Sequence, residues 1–189
     1  MYQGKENQPQ KESKFRGSVR PLQAVDIPHL KPILETWLRF PTITGELLTD
    51  EVRTTLEEIE RSLTHENKKQ FFVAQSPDGN ITGMMGIQPP DIAMRSFART
   101  LHPAEIINAY VHFEQHQGKG VGRALATAIE DESKKQGFEE LLLNSGPRYK
   151  ETGWPFWKKA YGEPVGTLKN HYGPGNDAPV WRKPLSDHR

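Results

Sequence analysis

The chain contains no cysteine. That single absence excludes disulfides, thiolate metal sites and a cysteine nucleophile. It also has no apolar run near the ~20 residues of a membrane span, and its charged amino terminus is not followed by the apolar core of a secretory signal. We therefore expect a soluble, cytoplasmic protein with no membrane partner. A charge excess is missing as well: 25 Lys and Arg face 24 Asp and Glu, a net +1, which gives no general reason to expect nucleic acid as a partner. Hydrophobic residues make up only 34% of the chain and the mean hydropathy is -0.74, so the core is modest and the surface strongly polar. The length of 189 residues fits one domain, or one domain and a tail.

What is present sorts by hydrophobic period. Met1 to Gly17 offers only Tyr2 and Phe15 as large apolar groups, too little to offset the entropy of ordering, so residues 1–17 read as a flexible tail and 18–189 as a single domain. Lys5, Lys11, Lys14 and Arg16 read as part of that solvated leader. Asp26 is placed to cap a helix with the stripe Ile27, Leu30, Leu34, Trp37 and Leu38, and Pro32 should bend it or delay its start. Val52, Leu56, Ile59 and Leu63 mark a second helix after Thr49 or Asp50. Phe71–Ala74 and Ile81–Ile87 form a hairpin around the turn formers Ser76 to Asn80. The stretch from Pro89 to Pro103 reads equally as helix or loop. A strand from Glu105 to Phe113, a helix from Gly120 to Gln136, a strand from Glu140 to Asn144, a short helix from Trp154 to Tyr161 and strands around Val165 and Val180 follow. The pattern implies a mixed α/β (α+β) layer rather than a doubly wound sheet.

The chemistry concentrates at Gln117 to Arg123, QGKGVGR, between an apolar strand and an amphipathic helix. Gly118, Gly120 and Gly122 alternate there, which frees the backbone to turn several amides into one concavity. That concavity opens a helix, whose unpaired amides and dipole favour an anion, and Lys119 and Arg123 add positive charge. The physical reading is a phosphate or pyrophosphate cradle; the plain alternative is a tight connection. It is not a Walker loop, since Gly, four residues and Gly-Lys-Ser/Thr never occur, nor the dinucleotide fingerprint, since position 123 is Arg.

At these residues the chain resembles the GNAT acetyltransferase superfamily, whose pyrophosphate loop reads Gln or Arg, two residues, Gly, one residue, then Gly or Ala. Gln117, Gly120 and Gly122 match its fixed positions, Val121 lies between them, and the strand AEIINAYVH before them looks like the strand that precedes the loop in that family. The resemblance extends over residues 18–185 and implies a mixed sheet of about six or seven strands flanked by about four helices. It implies acetyl-CoA as cosubstrate, with no metal, and a primary amine on a small molecule or peptide as acceptor. It also implies that the amides near Val111 and His112 polarise the thioester carbonyl, and many relatives pair through their last strands, so a homodimer around Val180 and Trp181 is possible. Without cysteine, direct attack by the amine in a ternary complex is the expected route. By the same resemblance Glu105, in the AEI segment, is the candidate base, against the alternative of a solvated carboxylate at a strand edge.

A GNAT enzyme often carries a tyrosine on its last helix to protonate the departing thiolate. Trp157 stands in that place here, and indole cannot serve as the acid, so Tyr161, one turn on, is the candidate against a core role. Asn144, ending a strand, has two readings: a hydrogen bond to pantetheine or a cap for the strand end. Trp37, Arg39 and Phe40 precede the link between the first two helices, a segment that the resemblance places beside the acceptor site; for Trp37 a hydrophobic staple to the core is the preferred reading. The histidines, His112 and His116 included, show no metal-ligand spacing. The rival functional readings are a GNAT-like coenzyme A sensor or scaffold that has lost its chemistry, and a nucleotide-binding regulator using the same cradle.

Overall fold

The computed structural model describes residues 15–64, 66–112 and 118–185. The expected tail up to residue 14, the strand end at Phe113, and His116 and Gln117 of the loop lie outside these residues. The elements are β1 (Ser18–Pro21), α1 (Ile27–Trp37), β2 (Arg39–Phe40), β3 (Glu46–Leu47), α2 (Thr49–Ser62), β4 (Gln70–Gln75) and β5 (Ile81–Gln88). They continue with α3 (Ile92–Arg95), β6 (Pro103–Val111), α4 (Val121–Lys135), β7 (Glu140–Asn144), α5 (Gly153–Tyr161), β8 (Gly166–Leu168) and β9 (Ala178–Pro184).

Seven strands form one mixed sheet in the order β1-β4-β5-β6-β7-β9-β8. Among the described residues only β6 and β7 are parallel, because α4 carries the chain back across the sheet between them. Val121, Leu125 and Ile129 of α4 bury one face against Met85, Ile106 and Leu141. Leu30 and Leu34 of α1 and Ile59 of α2 cover the other face against Val73 and Met84. Each such side chain contributes roughly 1.5–3 kcal/mol when fully buried.

Three local expectations are revised. Strand β1 was not legible, since Ser18–Pro21 has one aliphatic residue; pairing of Val19 with Ala74 on β4 makes it a strand. Just before it, Phe15 packs against the α4 side of the core. Asp26 stands at the start of α1 but its carboxylate does not cap it. It takes two bonds from Arg20, at 2.7 and 2.8 Å, and one from the Gln23 amide at 2.8 Å, which ties β1 to the helix. Pro32 does not delay α1, which starts at Ile27. Pro32 lies on the exposed side of the helix.

The feature that shapes the site is a bulge in β6. The register with β5 slips between Met84, opposite Tyr110, and Gly86, opposite Ile107. Asn108 takes up the slack with φ 48°, a left-handed conformation that Asn tolerates better than most side chains. Side chains change face there: Ile106, Ala109 and Val111 turn to the α4 side, while Ile107 and Tyr110 turn to the α1 side.

Candidate active site

The loop before α4 has the backbone its glycines allow. Gly118 and Gly120 both have positive φ, 75° and 81°, which strains any residue with a Cβ. Gly120 caps α4, and the first helical bond runs from the Ala124 amide to the Gly120 carbonyl at 3.0 Å. The amides of Val121, Gly122 and Arg123 form the first turn of the helix, whose N–H groups point along its axis toward the N-terminal end. Gly122 has a different reason: a Cβ there would sit 3.2 Å from the Phe156 ring and 3.7 Å from Val111 Cγ2. Lys119 and Arg123 stand exposed beside the amides.

That helix end adjoins an open strand edge. On β6, pairing with β7 stops at Glu105 opposite Leu142. Beyond it, among the described residues, the β7-side edge of β6 has no partner strand. The His112 amide donates to the Thr82 carbonyl at 2.8 Å. His112 is therefore bonded to β5, and the expectation that its amide polarises a thioester carbonyl is corrected. Val111, next in the antiparallel alternation, turns its amide and carbonyl away from β5 toward the open edge. Its carbonyl accepts from Trp37 Nε1 at 2.7 Å. Trp37 is thus more than a staple: it joins α1 to that edge and stacks on Tyr110 at 6.2 Å, with Tyr149 edge-on at 6.1 Å.

On the same side of the sheet lies a polar array. Glu105 is only 5% exposed, so it is not a solvated carboxylate at a strand edge. Gln88 Nε2 donates to its Oε2 at 3.1 Å, and Asn144 Nδ2 reaches its Oε1 at 3.5 Å. Burial raises the pKa of Glu105 above the usual carboxylate value, opposed by the Gln88 hydrogen bond. Asn144 also accepts from the Tyr172 hydroxyl at 2.6 Å, so its amide is part of this array. Nearby, the Tyr110 and Tyr149 hydroxyls lie 3.3 Å apart, and Arg148 pairs in a fork with Glu51 of α2, with one contact at 2.9 Å.

A model of the acetyltransferase (GNAT) family matches residues 32–168. The chain belongs to the GNAT family. It is accordingly an acyltransferase of the GNAT type. A search of curated proteins finds no match. Among solved structures, a GNAT-family protein from Desulfovibrio desulfuricans is 20% identical with a TM-score of 0.72, over 90% of this chain and 99% of that one. An aminoglycoside 6'-acetyltransferase type Ii is 17% identical with a TM-score of 0.66, over 90% and 99%. The Salmonella typhimurium protein yncA, whose structure carries its cofactor acetyl-CoA, is 19% identical with a TM-score of 0.64, over 92% and 96%. At these identities the likeness speaks for the GNAT fold alone.

The GNAT acid expected at Tyr161 is corrected by its surroundings. The Tyr161 hydroxyl is buried beside Glu130 of α4, and its ring packs on Trp157 at 5.4 Å. Burial, then the charge of Glu130, pushes its pKa far above the ordinary phenol value. Glu130 lies eight residues along α4 from Gly122, about 12 Å at the rise of a helix, so Tyr161 packs toward the middle of α4, with the Arg123 charge also reaching it. The residue of α5 that reaches Gly122 is Phe156, which has no proton to give. Sequence reading missed Tyr110, Tyr149, Tyr172, Gln88 and the Arg148–Glu51 pair. Tyr110 carried no signal, since only the bulge brings it to the Glu105 side of the sheet.

Proposed function

We propose that the protein transfers an acetyl group from acetyl-CoA to a primary amine by direct attack within a ternary complex. The observation that carries this reading is continuity: the amides at the start of α4 run into the open edge of β6 through the Gly122–Val111 contact, with a buried carboxylate on the same strand. This fits a long ligand with a diphosphate at one end and an amide-bearing arm. Gly118, Lys119, Gly120, Val121, Gly122 and Arg123 would hold the diphosphate, and Gln117 joins them on the resemblance. Bound acetyl-CoA supplies the activated acyl group.

The chain's own residues supply the rest. The Val111 amide faces the open edge as a fixed donor. An alkylammonium with a pKa of about 10 must lose a proton before it attacks. Glu105 takes that proton, directly or through water; its raised pKa brings it closer to the operating pH than an exposed carboxylate. A similar solved structure is named for acetylation of aminoglycosides, which are small-molecule amines, and such an amine is the acceptor to try first.

A coenzyme A sensor is the second reading, favoured by the burial of Tyr161, which leaves no acid on α5 near the cradle. Calorimetry with acetyl-CoA, followed by free-thiol release over a panel of amines, decides between them. Turnover with at least one amine supports the transferase; saturable binding with no turnover supports the sensor. Absence of binding sinks both.

A further inference from the structure

The β8–β9 loop is a built object rather than slack chain. Lys169 Nζ and the Asn170 amide both bond the Asp177 carboxylate, at 2.6 and 2.9 Å. The Asn170 side chain accepts from the Gly175 amide at 2.7 Å, and the Tyr172 amide bonds the Asn176 carbonyl at 3.1 Å. These bonds hold Tyr172 over the end of β7. Its ring lies where a Cβ on Gly146 would come within 3.3 Å, so Gly146 leaves the space it occupies. The residue is 47% exposed, yet its hydroxyl end turns inward, where burial pushes its pKa up to about 12. At neutral pH that hydroxyl keeps its proton and donates it to Asn144 Oδ1 at 2.6 Å.

That donation fixes the rest of the chain of bonds. A carboxamide offers an acceptor at one end and donors at the other. With Oδ1 engaged by Tyr172, Asn144 turns Nδ2 inward, where it lies 3.5 Å from both Glu105 Oε1 and Met94 Sδ, so its one charged acceptor there is the carboxylate. The second carboxylate oxygen takes its bond from Gln88. Donors on both oxygens favour the ionised carboxylate, the form a base needs. The charged groups that bear on Glu105 are Asp91, which precedes α3 and whose charge opposes ionisation while its backbone amide favours it, and Lys69, which precedes β4 and favours it. Tyr172 also faces it, with Tyr149, Arg148 and Glu51 around the Tyr172 hydroxyl.

We propose that Tyr172 is a positioning residue: through Asn144 it orients a donor onto Glu105 and keeps the base ionised. The proposal rests on the reading of Glu105 as base. Its consequence is that the β8–β9 loop, remote in sequence, sets the acid limb of the pH–rate profile. Losing the orientation weakens a hydrogen bond to a charge and moves that limb to higher pH.

The test compares the parent, Tyr172→Phe, Gly146→Ala, Asn144→Leu and Glu105→Gln as full chains. Each is measured for kcat/KM against pH with an accepted amine, and for carboxyl titration in the cofactor-free protein by infrared difference against Glu105→Gln. Tyr172→Phe should lose about fivefold in kcat/KM at low pH and recover at high pH, with its Glu105 titration displaced upward. Gly146→Ala, which nudges the ring without removing the hydroxyl, should shift less in the same direction. Asn144→Leu should shift most, and adding Tyr172→Phe to it should change nothing further. The titration in the cofactor-free protein keeps the proposal testable even where turnover is slow. Unchanged profile and titration in Tyr172→Phe overturn it, as does a rise in amine KM that is equal at every pH, which would make Tyr172 a substrate contact. If Glu105→Gln keeps the parental acid limb, the base assignment fails and this proposal with it; if Glu105→Gln loses the limb while Tyr172→Phe keeps it, this proposal alone fails.

Discussion

The two halves of the site are built by different means. The cradle at the start of α4 is made of backbone: consecutive residues, two left-handed glycines and a helix end supply donors that no side chain has to place. The array around Glu105 is made of side chains drawn from β5, β6, β7 and the β8–β9 loop, each held by the next. A backbone cradle tolerates most side-chain changes and fails only when a Cβ is forced into it. A side-chain array fails by degrees, through whichever link is cut. The difference teaches where binding and chemistry should separate under mutation.

The hardest blow to that division is Glu105→Gln. Transfer to an amine should fall about 100-fold or more at neutral pH while acetyl-CoA affinity by calorimetry stays at the parental value. In the parent the rate should drop as pH falls through the raised pKa of Glu105, because protonation removes the base; a flat acid limb would contradict the assignment. A loss of affinity in the same variant would show the halves to be one unit.

Gly122→Val attacks the other half. The added side chain meets Phe156 and Val111, so acetyl-CoA affinity should weaken by about tenfold or more, and thermal unfolding should come earlier, since overpacking of this kind costs about 1–3 kcal/mol. The pH profile of residual turnover should keep its shape.

Trp37→Phe probes the seam, because Trp37 both bonds Val111 at the open edge and stacks within the Tyr110–Tyr149 cluster. Removing the indole donor should raise the KM values for both substrates by about threefold to tenfold. An effect on one substrate alone would assign Trp37 to that half. The smallest change is expected from Tyr161→Phe. Deleting this buried hydroxyl should leave turnover unaltered and change the unfolding free energy by no more than about 1 kcal/mol. A large loss of kcat there would restore Tyr161 as the acid.

Much of the cradle could be read from the chain because its determinants are local. Gly118, Gly120 and Gly122 lie within one turn, and the stripe Val121, Leu125, Ile129 fixes where the helix begins. The hairpin, α2, β7 and α5 were legible for the same reason: period and turn chemistry act over a few residues. The array was mostly illegible. Glu105 was found by resemblance, but Tyr172 lies 67 residues beyond it in a turn-rich segment, and nothing in its surroundings marks a tyrosine that points inward. Tyr161 misled because helical spacing sets a residue's face but not what that face meets.

The sequence by itself determined the glycine turn, the cationic helix end and the order of most helices and strands, though not β1, since backbone freedom and hydrophobic period are properties of neighbouring residues. The tertiary structure alone decided which face Tyr110 and Val111 take after the bulge at Asn108, that the His112 amide is spent on β5, and that Asn144 joins Tyr172 to Glu105. Those outcomes depend on strand register and on hydrogen-bond partners brought together from distant segments, and a linear chain does not carry either until it packs.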